Sequence, residues 1–300
     1  MSESSSTPVI CFGEILWDML PDGPQPGGAP LNVAYHLKKQ GIATSIVSRI
    51  GNDLKGRELQ SLLDTWGINQ HLLQHDEQYG TGKVVAKMTN ENEVSYDILF
   101  PAAWDFITST KNLSSNVNEA QYFIYGSLAS RNEITRDTLF ELLETKAIKV
   151  FDINLRPPFM NRNLLEALLI NADIVKFNQA ELEMSQSLFG GSYYNEASQV
   201  AFIQEKFSIP EVIVTKGEFG AAYYKNQFVF NAWGTEVKVK DTIGSGDSFL
   251  AAFIATHLLK IEPAAMIKNA VAMGAFIATK KGGCPQYEIS EYKDFKRQIF

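Results

Sequence analysis

Short β-branched runs alternate with longer amphipathic helical patterns along most of this 300-residue chain. The runs that we predict to be buried strands are Val9–Phe12, Thr44–Val47, Tyr122–Tyr125, Lys149–Ile153, Ile174–Phe177 and Val212–Thr215. The predicted helices are Leu31–Gln40 and Lys55–Trp66, each followed by a glycine, and Ile134–Thr145 and Leu164–Ile170. Strands and helices in this order form right-handed βαβ units. We therefore expect an α/β fold of three layers, α/β/α, with helices on both faces of a mainly parallel central sheet.

One region departs from this alternation. Gly82–Met88 and Glu93–Leu99 alternate polar and apolar residues, and the turn-forming sequence Thr-Asn-Glu-Asn at 89–92 joins them. This pattern predicts a β-hairpin. Together with Asp18–Gly28, which is rich in proline and glycine, the hairpin is predicted to form a small antiparallel flap beside the main sheet.

No repeat, low-complexity tract or linker divides the chain, so we expect one domain over 1–300, with a lid formed by about 18–28 and 80–100. The net charge of −7 gives no basic face for nucleic acid or an anionic membrane. The N-terminus lacks the pattern of a secretion signal, and no apolar run is long enough to span a membrane. We expect a cytoplasmic protein with small-molecule partners, in which Cys11 and Cys284 are reduced thiols.

The segment that most strongly indicates chemistry is Asp241-Thr-Ile-Gly-Ser-Gly-Asp247, followed at once by an apolar helical run. Gly244 and Gly246 allow backbone N–H groups around Ser245 to point at one place, and the helix N-terminus adds partial positive charge there. These residues are predicted to form an anion hole. The carboxylate of Asp247 would then act as a general base on a hydroxyl that attacks the bound phosphate. The alternative for the motif alone is an N-capping aspartate after a tight turn.

With this motif the chain resembles the ribokinase-like (PfkB) family of carbohydrate kinases, whose signature is similar to DTxGxGDxFxxxF at 241–253. Further segments resemble family motifs in the family's order: Gly27-Gly28-Ala29-Pro30-Leu31-Asn32-Val33-Ala34, Arg49-Ile50-Gly51-Asn52-Asp53-Leu54-Lys55-Gly56, Asn178-Gln179-Ala180-Glu181 and Thr215-Lys216-Gly217-Glu218-Phe219-Gly220. The resemblance spans nearly the whole chain. It implies a ribokinase-like fold and an ATP-dependent sugar kinase that phosphorylates a primary hydroxyl.

The fructokinase branch of the family looks nearest, because of Asp152-x-Asn154-x-Arg156-Pro157-Pro158 and the Gly-Gly-Ala-Pro-Leu-Asn turn. D-fructose is therefore the implied acceptor. Ribokinase, 2-keto-3-deoxygluconate kinase and nucleoside kinase are alternatives within the family. A sugar-sensing protein without turnover is the alternative outside the enzymes.

On the sugar side, the implied binding residues are Asp18, Gly27, Gly28, Asn32, Tyr96 and Arg156. The two glycines permit close backbone approach to a ligand, and Asn32 offers both a donor and an acceptor. Asp18 can accept two sugar hydroxyls, and Arg156 follows a strand at the edge where open α/β sheets bind ligands. Taken singly, these residues are also typical of a glycine turn, a solvated loop charge and a surface ion pair.

On the nucleotide side, the implied residues are Asn178, Thr215, Gly217, Gly220, Asn269 and Gly274. The resemblance also implies Mg²⁺, oriented through water by Glu181, and it raises K⁺ near Asp241 as a further cofactor. Structural alternatives exist here too. Asn178 and Glu181 have the spacing of a capping box, Gly217–Gly220 that of a hairpin turn, and the small residues around Gly274 that of a close helix contact.

Two further expectations concern residues outside these motifs. The flap face with Tyr96, Ile98 and Phe100 is apolar and suggests a homodimer through the lid. His71 and His75 have helical i,i+4 spacing, but no third ligand for zinc is evident. All four histidines are expected at the surface: His36, His71, His75 and His257.

Overall fold

A computed structural model describes residues 7–89 and 93–299, except for the side chains of 86–89 and 93–96. The strands are β1 (Val9–Phe12), β2 (Leu16–Leu20), β3 (Gly23–Gly27), β4 (Thr44–Gly51), β5 (Leu73–Asp76), β6 (Gly82–Thr89), β7 (Glu93–Ile98), β8 (Tyr122–Gly126), β9 (Ile148–Asp152), β10 (Ile174–Asn178), β11 (Glu211–Thr215), β12 (Ala221–Lys225) and β13 (Phe228–Ala232). The α-helices are α1 (Ala29–Lys39), α2 (Leu54–Trp66), α3 (Lys111–Glu119), α4 (Glu133–Leu143), α5 (Arg162–Ile170), α6 (Gln179–Leu188), α7 (Glu196–Phe207), α8 (Ser245–Leu258), α9 (Pro263–Ala278) and α10 (Ile289–Ile299).

The main sheet has nine strands in the order β13-β12-β11-β10-β9-β8-β1-β4-β5. Neighbouring strands are parallel from β11 through to β5, and only β12 and β13 add antiparallel pairs at one edge. The prediction of a mainly parallel sheet is therefore confirmed. The predicted strands and helices are all present, with most ends within two residues of the prediction, although β4 continues to Gly51.

Successive residues of the central strands face different cores, because side chains alternate across a strand. In β1, Val9 and Cys11 pack into a core that α1, α2, α8, α9 and α10 cover. Ile10 and Phe12 pack into a second core on the opposite face, covered by α3 to α7. Helices thus cover both faces of the sheet, as the sequence predicts.

The lid is a second sheet of four strands in the order β3-β2-β6-β7. The hairpin β6–β7 is antiparallel, as predicted, and so is the pair β2–β3. The prediction of a wholly antiparallel flap is wrong, however, because β2 and β6 are parallel, with Leu16 opposite Gly82. The reason is that both strands follow parallel strands of the main sheet, β1 and β5, and so run away from the same edge.

The histidine prediction is confirmed for His71 and His75, which are exposed, and wrong for the other two. His36 is fully buried: its Nε2–H donates to the carbonyl of Gly283 at 2.8 Å, and its Nδ1 accepts from the Tyr287 hydroxyl at 3.0 Å. Burial lowers the pKa of His36 to about 4. His257 lies mostly buried between the Tyr122 hydroxyl and the Glu211 carboxylate. Both rings have polar partners that are distant in sequence, so their burial leaves no signal in the local pattern.

Two features bear on the class of the protein. Over residues 7–89 and 93–299, no helix combines the length and the apolarity that a membrane span requires. Cys11 and Cys284 are both free thiols.

Asp53 connects the start of α2 to the first strand of the lid hairpin. Its carboxylate accepts from the Gly56 N–H at 2.7 Å, which caps the helix. It also accepts from the Thr81 N–H at 2.9 Å and the Thr81 hydroxyl at 2.8 Å, just before β6. One side chain therefore satisfies donors of two elements.

We expect Asp53→Ala to lower the free energy of unfolding by about 1–2 kcal/mol, because the helix loses its cap and Thr81 loses its acceptor. Asp53→Asn keeps an acceptor oxygen and should lose less. Urea unfolding of the two variants beside the parent protein measures the difference. Equal stability of the alanine variant and the parent would contradict this role.

Candidate active site

Two helices begin close together beyond the carboxyl ends of the parallel strands. Helix α1 starts at Ala29 after Gly28, and α8 starts at Ser245 after Gly244. Their first turns are joined by a hydrogen bond, in which Nδ2 of Asn32 donates to Oδ2 of Asp247 at 2.8 Å. The structure thus brings the predicted sugar-side turn and the predicted base together, although they are 215 residues apart.

The turn before α8 requires glycine at position 244. Gly244 has φ of 74°, and a Cβ there would lie 2.6 Å from Cα of Gly283. No side chain caps α8. The Ser245 N–H donates to the Thr242 carbonyl at 3.2 Å, and the amides that follow it in the first turn are open to a ligand together with the helix dipole. This geometry fits the predicted anion hole.

Ser245 and Gly274 make a structural contact behind this turn. The Ser245 hydroxyl donates to the Gly274 carbonyl at 2.9 Å, and a Cβ on Gly274 would lie 3.2 Å from the Ser245 carbonyl oxygen. The absence of a side chain at Gly274 therefore lets α9 approach the start of α8. This is the close helix contact that the sequence offered as the alternative to a nucleotide contact.

The Asp247 carboxylate is surrounded by both signs of charge. Burial, and next the carboxylate of Asp152, raise the pKa of Asp247 to about 6. The hydrogen bond from Asn32 and the positive charges of Lys176 and Arg156 oppose this rise. A group with this pKa is ionised at neutral pH and can accept a proton, which fits a general base.

A buried ion pair lies under the anion hole, and the sequence motifs did not indicate its lysine. Nζ of Lys176, in β10, contacts both carboxylate oxygens of Asp152, at 2.8 and 2.9 Å. A Cβ on Gly246 would lie 3.5 Å from this Nζ, so the absence of a side chain at Gly246 exposes the ammonium to the hole. Burial acts to lower the pKa of Lys176, but Asp152 outweighs it and the pKa is raised. The sequence feature that could have identified Lys176 was its position inside the otherwise apolar run Ile-Val-Lys-Phe.

Glu14 is a second residue that sequence reasoning missed. It follows β1, it is 2% exposed, and its Oε2 has no hydrogen-bond partner. Burial raises the pKa of Glu14 to about 7, whereas nearby N–H groups and Arg156 act to lower it. A carboxylate directly after a central parallel strand was the signal that could have identified it.

The sugar-side residues of the lid lie next to this centre. Asp18 is in β2, and the bare Cα of Gly27 in β3 makes room for its carboxylate. Gly28 has φ of 110°, and a Cβ there would collide with the carbonyl of Glu14. Burial raises the pKa of Asp18 to about 6, and Arg156 acts against that rise. The Tyr96 side chain lies outside the described residues.

The Arg156 side chain is exposed and makes few contacts with the rest of the protein. Asn154 before it has φ of 38°, which turns the chain sharply after β9. The guanidinium donates to the carbonyl of Leu155 at 3.3 Å, while its charge acts on Glu14, Asp18 and Asp247. A cation that faces three carboxylates in this way is free to bind an anionic or polar ligand.

Asn178 and Glu181 form the capping box that their spacing predicts. Oδ1 of Asn178 accepts from the Glu181 N–H, and Oε2 of Glu181 accepts from the Asn178 N–H, both at 2.8 Å. Oε1 of Glu181 also accepts from the Leu155 N–H at 3.0 Å. Each carboxylate oxygen is thus already engaged with protein, and further contacts through water fit better than direct metal ligation. Across the described residues there is no cluster of three or more His, Cys, Asp or Glu side chains that could hold a metal.

The other predicted nucleotide residues fall in two places. The Thr215 hydroxyl donates to the carbonyl of Phe177, and Gly217 and Gly220 form the turn into β12. Asn269 lies in α9, where its carbonyl accepts from the Tyr292 hydroxyl and its side chain contacts Lys296 of α10. These contacts of Asn269 are structural, and its nucleotide role stays a prediction.

Asp241 joins two loops beside the anion hole. Its Oδ1 accepts from the Ile243 N–H at 3.0 Å, and its Oδ2 accepts from the Gly282 N–H at 2.9 Å. The side chain therefore holds the loop before α8 against the loop after α9. The cation predicted near this residue stays a prediction.

We expect Lys176→Met to lower the free energy of unfolding by about 3–5 kcal/mol, because it leaves the buried Asp152 carboxylate without its counter-charge. The double variant Lys176→Met, Asp152→Leu removes both charges and should recover most of this loss. Urea unfolding at pH 7 measures both. A single variant as stable as the parent would contradict the importance of the pair.

Comparisons with known proteins agree with this geometry. The model of the pfkB family carbohydrate kinases matches residues 23–289. Fructokinase-2 of Solanum lycopersicum is 28% identical, with 94% of this chain and 93% of that protein covered. The structure of a fructokinase from Vibrio cholerae O395 superimposes with a TM-score of 0.79 at 26% identity, over 97% of this chain and 99% of that one. A fructokinase from Xylella fastidiosa, at 22% identity, gives a TM-score of 0.84 over 98% and 99% of the two chains and supports the fold. Because the family model matches most of its length, this chain belongs to the pfkB family of carbohydrate kinases and is a sugar phosphotransferase.

Proposed function

We propose that this protein transfers the γ-phosphate of ATP to a primary hydroxyl of a small sugar, with D-fructose as the preferred acceptor. The observation that carries the proposal is the position of Asp247, whose carboxylate lies in the first turn of a helix that no side chain caps. A phosphate at that helix start would lie beside the group that deprotonates the attacking hydroxyl.

The residues around Asp247 support the transfer of a phosphoryl group. This reaction needs positioning and neutralisation of charge more than covalent help from the protein. The amides at the start of α8, the Lys176 ammonium under Gly246 and the Arg156 guanidinium supply positive potential on the side where the phosphate would lie. In this proposal the lid excludes water from the bound sugar.

The nucleotide and ions are part of the proposal. The Vibrio cholerae fructokinase has been solved with fructose, ADP and a calcium ion, and as a double mutant with fructose, ADP and a potassium ion. By this likeness we propose ATP, with Mg²⁺ that is held mainly by phosphate oxygens and water and oriented through water by Glu181. Asp241, between its two loops, is the residue that we propose beside a K⁺ ion.

For the sugar, the proposed contacts are Asp18, Gly27, Gly28, Asn32 and Arg156; the charge of Arg156 acts on Asp18 and Asp247, and Asn32 donates to Asp247. Buried hydrogen-bonding groups of this kind discriminate strongly against a ligand that lacks the matching hydroxyl. The preference for fructose rests on the likeness to fructokinases, and the same pocket chemistry suits ribose, 2-keto-3-deoxygluconate or a nucleoside. Asp247 in its open helix turn argues against a sugar sensor without turnover.

We also propose a single domain, a cytoplasmic location, and partners limited to sugar and nucleotide, without nucleic acid or membrane. A homodimer through the lid is also a prediction. In that surface Phe100 is 56% exposed, and the Tyr96 side chain lies outside the described residues.

We expect Asp247→Asn to reduce kcat at least ~10²-fold while nucleotide binding is retained, because an amide cannot accept the proton. In the parent protein, kcat/KM should rise with pH through the region of the Asp247 pKa of about 6, since only the ionised carboxylate is active. Asp294→Asn, on the exposed face of α10, is a control of equal charge. Steady-state assays from pH 5 to 8 measure the turnover of the parent and of both variants. Near-normal turnover in Asp247→Asn would refute the role of Asp247 as the base.

We expect D-fructose to give the highest kcat/KM in a panel with ribose, glucose and 2-keto-3-deoxygluconate. Asp18→Ala should raise the KM for the sugar much more than the KM for ATP, because the lost carboxylate contacts only the sugar. Asp22→Ala, an exposed carboxylate in the turn between β2 and β3, is the matched control in the lid. A clear preference for another member of the panel would overturn the choice of fructose and leave the kinase assignment intact.

A further inference from the structure

The side-chain amide of Asn32 is held between two partners of different chemistry. Its Nδ2 donates to Oδ2 of Asp247 at 2.8 Å, and its Oδ1 accepts from Sγ of Cys284 at 3.2 Å. An ionised carboxylate can only accept, so the Nδ2 end of the amide faces Asp247. The thiol can donate, so the Oδ1 end faces Cys284. Asn32 is 4% exposed, and water therefore has little access to compete.

The backbone on the other side prevents the amide from turning. A Cβ on Gly283 would lie 2.6 Å from Nδ2 of Asn32 and 2.7 Å from Oδ1, so the chain at Gly283 packs directly against the amide. The carbonyl of Gly283 is itself fixed, because it accepts from the buried His36 ring. Gly244, at the start of the predicted anion hole, also packs closely against Gly283.

The two carboxylate oxygens of Asp247 differ in their contacts with the protein. Oδ2 is engaged by Asn32, so Oδ1 is the oxygen left to accept a proton from a substrate hydroxyl.

Several charged or titratable groups face Asp247 from other elements, and their effects oppose one another. They are Asp152 at the end of β9, Lys176 in β10, Arg156 after β9, Glu14 after β1, and Cys284 after α9.

We propose that Asn32 is a positioning residue for the catalytic base, and that Cys284 holds its amide in the orientation that donates to Asp247. The inference rests on the proposed phosphoryl transfer and adds a role to the sugar contact expected of Asn32. The hydrogen bond stabilises the ionised carboxylate and directs Oδ1 towards the substrate. Cys284 serves as a hydrogen-bond donor, and no covalent chemistry of the thiol is involved.

The first test replaces the amide with an apolar side chain of similar size, Asn32→Leu. Loss of a hydrogen bond to a charged group should lower kcat about tenfold or more and move the acid limb of the kcat–pH profile upward by about one pH unit. The direction follows because the lost donor favoured the ionised form. If Asn32 only binds the sugar, the sugar KM rises and the acid limb stays where it is, which would overturn the proposal.

The second test separates the hydrogen bond of Cys284 from its volume. Cys284→Ser keeps a donor and should retain kcat and the pH profile of the parent within about twofold. Cys284→Ala removes the donor and should lower kcat about threefold to tenfold, with an upward movement of the acid limb, since the Asn32 amide loses the hydrogen bond that holds its orientation. Equal behaviour of the two variants would refute the role of Cys284 as a donor.

A third measurement needs no turnover and separates this inference from the proposed function. The Asp247 carboxyl carbon can be titrated by ¹³C NMR in the ligand-free protein, with Asp247→Asn to assign the signal. Its midpoint should lie higher in Asn32→Leu than in the parent, and an unchanged midpoint overturns the inference. If the midpoint moves but no sugar is phosphorylated, the proposed function fails and the interaction between the two residues stands. Asn32→Ser, with a shorter side chain, replaces the leucine variant if circular dichroism shows that the latter is unfolded.

Discussion

The hydrogen bond between Asn32 and Asp247 joins the first turns of α1 and α8, and the chemistry of the site depends on that junction. The start of α8 has no side-chain cap and carries the proposed base, while the start of α1 belongs to the proposed sugar-side turn. Residues Ser248–Ala255 of α8 are all buried, so the helix cannot tilt without disturbing the core. The packing of α8 in the core therefore keeps the first turn of the helix in a fixed position. The alignment of a phosphate with a hydroxyl requires such a fixed position.

The site contains carboxylates and cations whose effects on the pKa of Asp247 oppose one another. Burial raises the pKa of Glu14, Asp18 and Asp247 above the usual range of carboxyl groups, and Lys176 and Arg156 limit the rise at Asp247. Lys176 is largely committed to Asp152, whereas Arg156 is exposed and has no ion pair of its own among the described contacts. Arg156 is thus the cation that can move towards an incoming ligand at the smallest cost.

The sequence predicted the parts of the site that are encoded locally. The Gly-x-Gly-Asp turn before an apolar helix indicated Asp247, and the glycine pair indicated the start of α1. It could not indicate that Asn32 and Cys284, 252 residues apart, hold one another, or that Lys176 pairs with Asp152. His36 was wrongly predicted at the surface, because its burial depends on hydrogen bonds with Gly283 and Tyr287, which are distant in the sequence. The parallel pairing of β2 with β6 likewise depends on where two distant strands leave the main sheet.

The lid hairpin is held at both of its ends by polar contacts, of which the pair Arg131–Asp105 is fully buried. At the start of β6, Asp53 binds the backbone and hydroxyl of Thr81. After β7, the guanidinium of Arg131 donates to the carbonyls of Ile98 and Leu99, and the Asp105 carboxylate holds the same guanidinium at 2.6 and 2.8 Å. Removing either partner of the buried Arg131–Asp105 pair leaves an uncompensated charge, so this anchor resists separation from the core. Any movement of the proposed lid would therefore have to take place between the anchors, in β6 and β7 themselves and in the pairing of β6 with β2.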